Sequence, residues 1–387
     1  MTEWKAAPVT SLSKTIAQLA AMKGAMPTSR TTATRLTEVP APSPNPGALR
    51  GWSHLPAGLA PGAPLVVVLH GCTQTAAGYD AGTGWSTLAD EQGFALLFPE
   101  QVRGNNANLC FNWFEPADIG RTGGEAESIA RMTTAMIAAH HLDPARVFVT
   151  GLSAGGAMTA VMLAAYPELF AGGAIIGGLP YGSASTVSEA LTRMRGQGGA
   201  DDAGLASAVR HGSFQHRGRW PSVSIWHGSA DATVAAANMD GLGRQWRGVH
   251  GVEASVPAVE AGPNWTHSVW RDADGRDVVE EWSVTGMGHG VPIDPSGPAR
   301  LGQAGAYMLD VGLSSTAAIA HSWGLMTKRQ DAAEEAATPR LAPVPPAAPR
   351  QAGPAKQGWT MPPPPPGRAS AVQDTIEAAL RSAGLMR

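Results

Sequence analysis

The stretch Val147-Phe148-Val149-Thr150-Gly151-Leu152-Ser153-Ala154-Gly155-Gly156-Ala157-Met158 carries the decisive pattern in this chain. Its first four residues, apolar or β-branched, suit a strand buried on both faces. Gly151 to Gly155 fits G-x-S-x-G, and the Ala-, Met- and Leu-rich run from Gly155 to Ala165 suits a helix. A serine between such a strand and such a helix sits on a sharp turn that only small flanking residues permit. Its oxygen is exposed there, with the positive end of the helix behind it. The pentapeptide alone is weak evidence. With a strand before it and a helix after it, Ser153 becomes a candidate nucleophile on an elbow rather than a serine in an ordinary Gly-rich turn.

Outward from this point the same grammar repeats. Leu65 to Leu69, Phe94 to Phe98, Ala174 to Ile176 and Val223 to Trp226 are short apolar runs. Glu125 to His141 spaces apolar residues as a helix does. Alternating strands and helices predict a mostly parallel sheet with helices on both faces, the α/β-hydrolase arrangement. Val278 to Val284, with His267 to Arg271 and the turn-like Asp272-Ala273-Asp274-Gly275, predicts a late hairpin. Ser183 to Gly218 is polar and Gly-rich, with a helical patch near Glu189 to Met194, and stands where this fold carries a lid or insertion.

The chain has 387 residues, 43% of them apolar, and a formal charge of −3. One catalytic domain over residues 41–320 is expected, after an N-terminal helix and linker over residues 1–40. Residues 321–387 read as a Pro/Ala-rich tail, expected to be disordered, in which Ala342 to Pro366 is dominated by Pro and Ala and ends in the run Pro362 to Pro366. The tail is a candidate binding segment for an unidentified partner. No basic stripe points to nucleic acid, and no apolar run reaches the roughly 18 residues of a membrane span. Met1 to Met26 has the pattern of a weak amphipathic helix and lacks the continuous apolar stretch of a secretory signal. No metal cluster or phosphate loop is visible, so no cofactor is expected. Two cysteines, Cys72 and Cys110, are too few for a disulfide scaffold; they can form one bridge in an oxidising compartment or remain thiols in the cytosol.

A serine alcohol needs a base, and this fold supplies an acid and then a histidine in chain order. Asp231 lies in the loop Gly228 to Val234 after a predicted strand; Asp240 is its rival, in a helix-like stretch. His289, in Met287-Gly288-His289-Gly290, follows the strand ending at Val284. His250, His267 and His321 are alternatives, and His227 reads as a structural part of the Asp231 loop. The oxyanion that forms on attack needs two backbone N–H donors. Ala154 directly follows the nucleophile, and Cys72 lies in the loop His70 to Gln74 after the first strand.

These residues together resemble the poly(3-hydroxybutyrate) depolymerase-like esterases, a family that includes feruloyl and acetyl xylan esterases. The resemblance covers roughly Pro64 to Val291. It is carried by Leu69-His70-Gly71-Cys72-Thr73-Gln74, Cys110-Phe111-Asn112-Trp113-Phe114, Gly151 to Met158, His227 to Asp231 and Gly288-His289-Gly290. It implies a triad of Ser153, Asp231 and His289, an oxyanion hole from Cys72 and Ala154, and a Cys72–Cys110 bridge. Trp113 is a candidate to flank the cleft, with plain packing the equal alternative. The implied activity is hydrolysis of poly- or oligo-3-hydroxybutyrate through an acyl-enzyme, with feruloyl or acetyl xylan ester hydrolysis as the alternative. A serine peptidase and a non-catalytic polymer-granule binding protein are the more distant readings. The resemblance implies an extracellular protein; the missing signal pattern makes cytoplasmic location the alternative.

Overall fold

A computed structural model describes residues 34–199 and 201–326. Twelve strands and eight helices are found among them. The main sheet has ten strands in the order β1-β2-β4-β3-β5-β6-β7-β10-β9-β8. The six central strands are parallel: β3 (Leu65–Leu69), β4 (Ala95–Glu100), β5 (Val147–Leu152), β6 (Gly172–Ile176), β7 (Ser222–Gly228) and β10 (Asp277–Val284). Antiparallel β1 (Thr37–Val39) and β2 (Arg50–His54) extend one edge, and β8 (Ala258–Ala261) and β9 (Trp265–Arg271) the other. Beside it, β11 (Val291–Ile293) and β12 (Met308–Asp310) form a small second sheet.

The apolar runs are continuous because both faces of the sheet are covered. In β3, Leu65, Val67 and Leu69 join one core cluster, while Val66 and Val68 join the other. The first cluster lies under α3 (Gly124–His140), α4 (Ala154–Ala165) and α7 (Ala237–His250), through Ile129, Met132, Met158, Leu242 and Trp246. The second lies under α1 (Ala76–Thr83), α2 (Trp85–Gln92) and α8 (Ser315–Ser322), through Tyr79, Trp85, Leu88 and Ile319. A strand with period-2 side chains feeding two apolar layers reads as an unbroken hydrophobic word.

Three local differences from the sequence reading have clear causes. β4 runs through Pro99 to Glu100, because its ladder with β3 ends at Leu97 and the proline interrupts no parallel pairing. The Gly-rich stretch after β6 contains α5 (Val187–Met194) and also α6 (Asp202–Gly212), which starts on an Asp201 cap accepting Gly204 N–H at 2.8 Å. α6 is stitched to α7 by Arg210 Nη2 donating to Gly248 O at 2.6 Å and Gln245 Nε2 donating to Leu205 O at 3.0 Å. The sheet also begins before residue 41, with β1, and burial continues past residue 320. Trp323 stacks on Phe148 with ring centroids 4.7 Å apart and on Trp85 at 6.1 Å. The hairpin of β9 and β10 forms as expected, its turn closed by Gly275 N–H donating to Asp272 O at 3.0 Å. The N-terminal amphipathic helix and most of the Pro-rich tail lie outside the described residues.

Candidate active site

In an open parallel sheet, side chains that do chemistry gather at the carboxyl ends of the strands. Here the loops leaving β3, β5, β6, β7 and β10 carry the candidate residues. Ser153 follows β5 directly, with φ 58° and ψ −119°, an unfavourable conformation for a residue with a Cβ. Its own N–H donates to Ile176 O at 2.9 Å, which ties the turn to the end of β6. Its neighbours Leu152 and Ala154 are buried while Ser153 itself is partly exposed. The glycines explain how so tight a turn packs. A Cβ on Gly155 would collide with the carbonyl oxygens of Leu69 and His70, and one on Gly151 with the Gly155 carbonyl. α4 therefore starts against the end of β3.

Asp231 and His289 come together across 58 residues of chain. His289 Nδ1 lies 2.7 Å from Asp231 Oδ2. The other Asp231 oxygen, Oδ1, accepts the N–H groups of Thr233 at 2.9 Å and Val234 at 2.8 Å. His227 lies beneath the pair, its Nε2 donating to Val234 O at 2.8 Å and standing 3.5 Å from Asp231 Oδ2. Burial holds the His227 ring below its ordinary pKa, so it stays neutral. The His289 ring abuts Gly177, the residue after the one that binds Ser153 N–H. A Cβ on Gly177 would lie 3.3 Å from both Cε1 and Nδ1 of the imidazole. Nothing in the sequence singled out Gly177; its signal was a glycine pair directly after an apolar strand. On the other side Tyr307, with φ 62°, sets its ring edge-on to His289 at 6.1 Å.

The rival groups are placed elsewhere. Asp240 is exposed in the first turn of α7. His250 Nε2 bonds Pro221 O, and His267 pairs with Glu280 while stacking on Trp282.

The loop after β3 is fixed from several directions. Cys72 and Cys110 form a disulfide, with Cα atoms 4.2 Å apart. Gly71 N–H donates to Gln74 Oε1 at 2.8 Å and Thr73 N–H to Asn108 O at 2.7 Å. Between them, Cys72 N–H has no partner among the described residues. Ala154 N–H, at the first position of α4, has no intrahelical acceptor. Trp113 is 7% exposed in the first core cluster, with Phe114 edge-on at 5.3 Å. The described residues contain no cluster of His, Cys, Asp and Glu that could hold a metal ion, and no helix among them is long and apolar enough to cross a membrane. A surface cavity of about 240 Å³ lies at the opposite end of α4 from Ser153, lined by Arg121, Glu168, Phe214 and His216 among others; none of the candidate residues borders it.

A mostly parallel ten-stranded sheet of this order, with a strained serine between β5 and α4, defines the α/β-hydrolase class of fold. The sequence profile described as Esterase PHB depolymerase matches residues 52–267. The chain belongs to that family. It is 46% identical over 292 residues to poly(3-hydroxyalkanoate) depolymerase C of Paucimonas lemoignei, covering 75% of this chain and 70% of that one. It is 29% identical over 276 residues to feruloyl esterase B of Talaromyces funiculosus, covering 68% and 75%. Among solved structures, the acetyl xylan esterase from Aspergillus awamori superposes with a TM-score of 0.64 at 27% identity, covering 75% of this chain and 99% of that one. Carboxylic-ester hydrolysis is the activity these relatives share.

Proposed function

We propose that Ser153, His289 and Asp231 form a catalytic triad that hydrolyses esters through an acyl-enzyme. The observation that carries this reading is the 2.7 Å contact of His289 Nδ1 with Asp231 Oδ2, made against the strand end that binds Ser153 N–H. With Nδ1–H engaged by the carboxylate, Nε2 of His289 is left as the base. It takes the Ser153 proton as the oxygen attacks the ester carbonyl, and Asp231 stabilises the imidazolium. The oxyanion accepts N–H groups from Cys72 and Ala154, neither of which has another partner among the described residues. The imidazolium then protonates the leaving alcohol. Water, deprotonated by the same ring, attacks the acyl-enzyme, and the acid and free Ser153 are released.

The substrate reading is poly- or oligo-3-hydroxybutyrate, supported by the 46% identity to a relative named as a poly(3-hydroxyalkanoate) depolymerase. The second reading, an acetyl or feruloyl group on xylan, is supported by the structural match that spans 99% of an acetyl xylan esterase. The disulfide favours an oxidising, extracellular setting. A hydrolysis panel separates the substrates. Release of 3-hydroxybutyrate from oligomers at a kcat/KM well above that for acetate or ferulate release is the expected result. The reverse order assigns the protein to the xylan esterases.

A further inference from the structure

Gln101 takes no part in the steps above, yet every polar atom of its side chain is engaged. It follows β4 directly and is 2% exposed. Its Oε1 accepts Val102 N–H at 3.0 Å and Asn105 Nδ2 at 2.9 Å. Its Nε2 donates to the Cys110 carbonyl at 3.0 Å and to Glu125 Oε1. Its backbone N–H donates to His70 Nε2 at 3.1 Å, which leaves His70 Nδ1 to donate to Gly71 O at 2.8 Å. Glu125, in the first turn of α3 and 1% exposed, accepts Asn112 N–H on its other oxygen at 2.8 Å. One buried polar chain thus links the loop after β3, the end of β4, the segment Cys110 to Asn112 and the start of α3.

Such a chain is costly in an apolar cluster, where leucine or methionine would pack without desolvating a polar group. Burial pushes the Glu125 carboxyl up to about 8, and the nearby Asp118 carboxylate adds to the effect against the bonds from Asn112 and Gln101. What a fully satisfied buried network supplies is a fixed backbone. The backbone fixed here is the segment bonded covalently to Cys72.

We propose that Gln101 and Glu125 are positioning residues for the oxyanion donor, holding the Cys110 to Asn112 backbone so that the disulfide and His70 fix where the Cys72 N–H points. This rests on the reading of Ser153 as nucleophile and Cys72 as donor. Neither residue touches substrate, so their effect falls on the transition state and not on ground-state binding.

The test is steady-state hydrolysis of p-nitrophenyl butyrate, with inhibition by an alkylboronic acid that forms a tetrahedral adduct on serine. It is run at pH 9, above the Glu125 value, so that the carboxylate accepts from both donors. The titratable groups facing Glu125 are Asp118 and, one hydrogen bond beyond Gln101, His70. Gln101→Met should lower kcat about 10- to 100-fold, less than the loss of a whole donor, with KM within about twofold and boronate affinity reduced in proportion to kcat. Glu125→Gln offers one acceptor oxygen to two donors and should lower kcat about fivefold in the same pattern. If Gln101→Met fails to fold, the near-isosteric Glu125→Gln decides. A folded variant with a lowered Tm but wild-type kcat and boronate affinity, or a change in KM alone, overturns the proposal. Ser153→Ala separates the two failures. If that variant stays active, the underlying triad is wrong; if it is inactive while the positioning variants match wild type, only the present inference is lost.

Discussion

The loop after β3 and the loop after β7 each deliver a group to the same end of the sheet, but the chain secures them by different means. The β3 loop is bound by a disulfide, by Asn108 O and by the buried run from His70 through Gln101 to Glu125. The β7 loop has no covalent tie: Ser229 N–H donates to Val284 O at 2.9 Å and Ala230 N–H to Met287 O at 3.0 Å, while Asp231 takes two backbone N–H groups on Oδ1 and leaves Oδ2 for the His289 ring. The difference follows from the work proposed for each side. A donor that meets developing charge gains by being immobile, since any reorganisation is subtracted from transition-state stabilisation. An imidazole that takes a proton from one oxygen and gives it to another has to rock between them. The His289 ring is restrained by one hydrogen bond to a carboxylate oxygen and by its packing against Gly177.

The largest expected effect tests what both sides serve. Ser153→Ala should cost at least about 10⁴-fold in kcat on a short-chain ester with the fold intact. Retention of more than about a tenth of wild-type turnover would end the comparison, because neither loop would then face a nucleophile. Next comes the β7 side. Asp231→Asn and His289→Ala should each lose on the order of 10³- to 10⁴-fold, while Asp240→Asn stays near wild type. Equal loss from Asp240→Asn would move the acid onto α7.

On the rigid side the loss should be smaller but should appear in stability as well. Cys72→Ser removes a cross-link spanning 38 residues, for which the chain-entropy model gives about 3–4 kcal/mol. We expect a lower midpoint in urea and a fall in kcat of about tenfold, part of what losing one oxyanion donor costs. An unchanged kcat with lowered stability would show that the disulfide serves folding alone. Gly177→Ala sharpens the contrast from the other direction. The added methyl lies 3.3 Å from the His289 ring at φ +53°, so the imidazole has to yield. A loss of several-fold in kcat is expected, with roughly 1 kcal/mol or more of stability from the left-handed backbone. Wild-type kinetics would mean that the ring has more freedom than the contact implies. The smallest effect belongs to residues 327–387, whose removal should leave kinetics on soluble esters within about twofold, given how little apolar surface a Pro/Ala-rich stretch can bury. A cut at 320 instead removes Trp323, and with it the stack on Phe148 and Trp85, and should lower the Tm.

Five of the six parallel strands were legible as short apolar runs, whereas β10, with Glu280 and Glu281 inside it, was legible only as half of a hairpin; the elbow was legible because Gly151, Gly155 and Gly156 mark a turn with no room for side chains. The meeting of Asp231 with His289 was legible through the position of both residues in loops after strands. Less legible were residues whose role depends on partners distant in sequence. Gln101 and Glu125 look like ordinary polar residues beside a strand and a helix, and only the fold brings them to Cys110 and Asn112. The α6 helix escaped notice because glycines at 196, 198 and 199 masked the Asp201 cap.

The distribution of these groups over separate strand ends sets a timetable for synthesis. Ser153 emerges from the ribosome roughly 140 residues ahead of His289, and at about 5–20 residues per second that interval lasts about 7–30 s. Under the proposed triad the serine lacks its base throughout that interval, since His289 follows β10, the strand that pairs with β7. On that reading hydrolytic power appears late, only after β10, the last strand of the main sheet, and the segment behind it are made. A ribosome-stalled series ending on either side of residue 289 would place that moment on the chain.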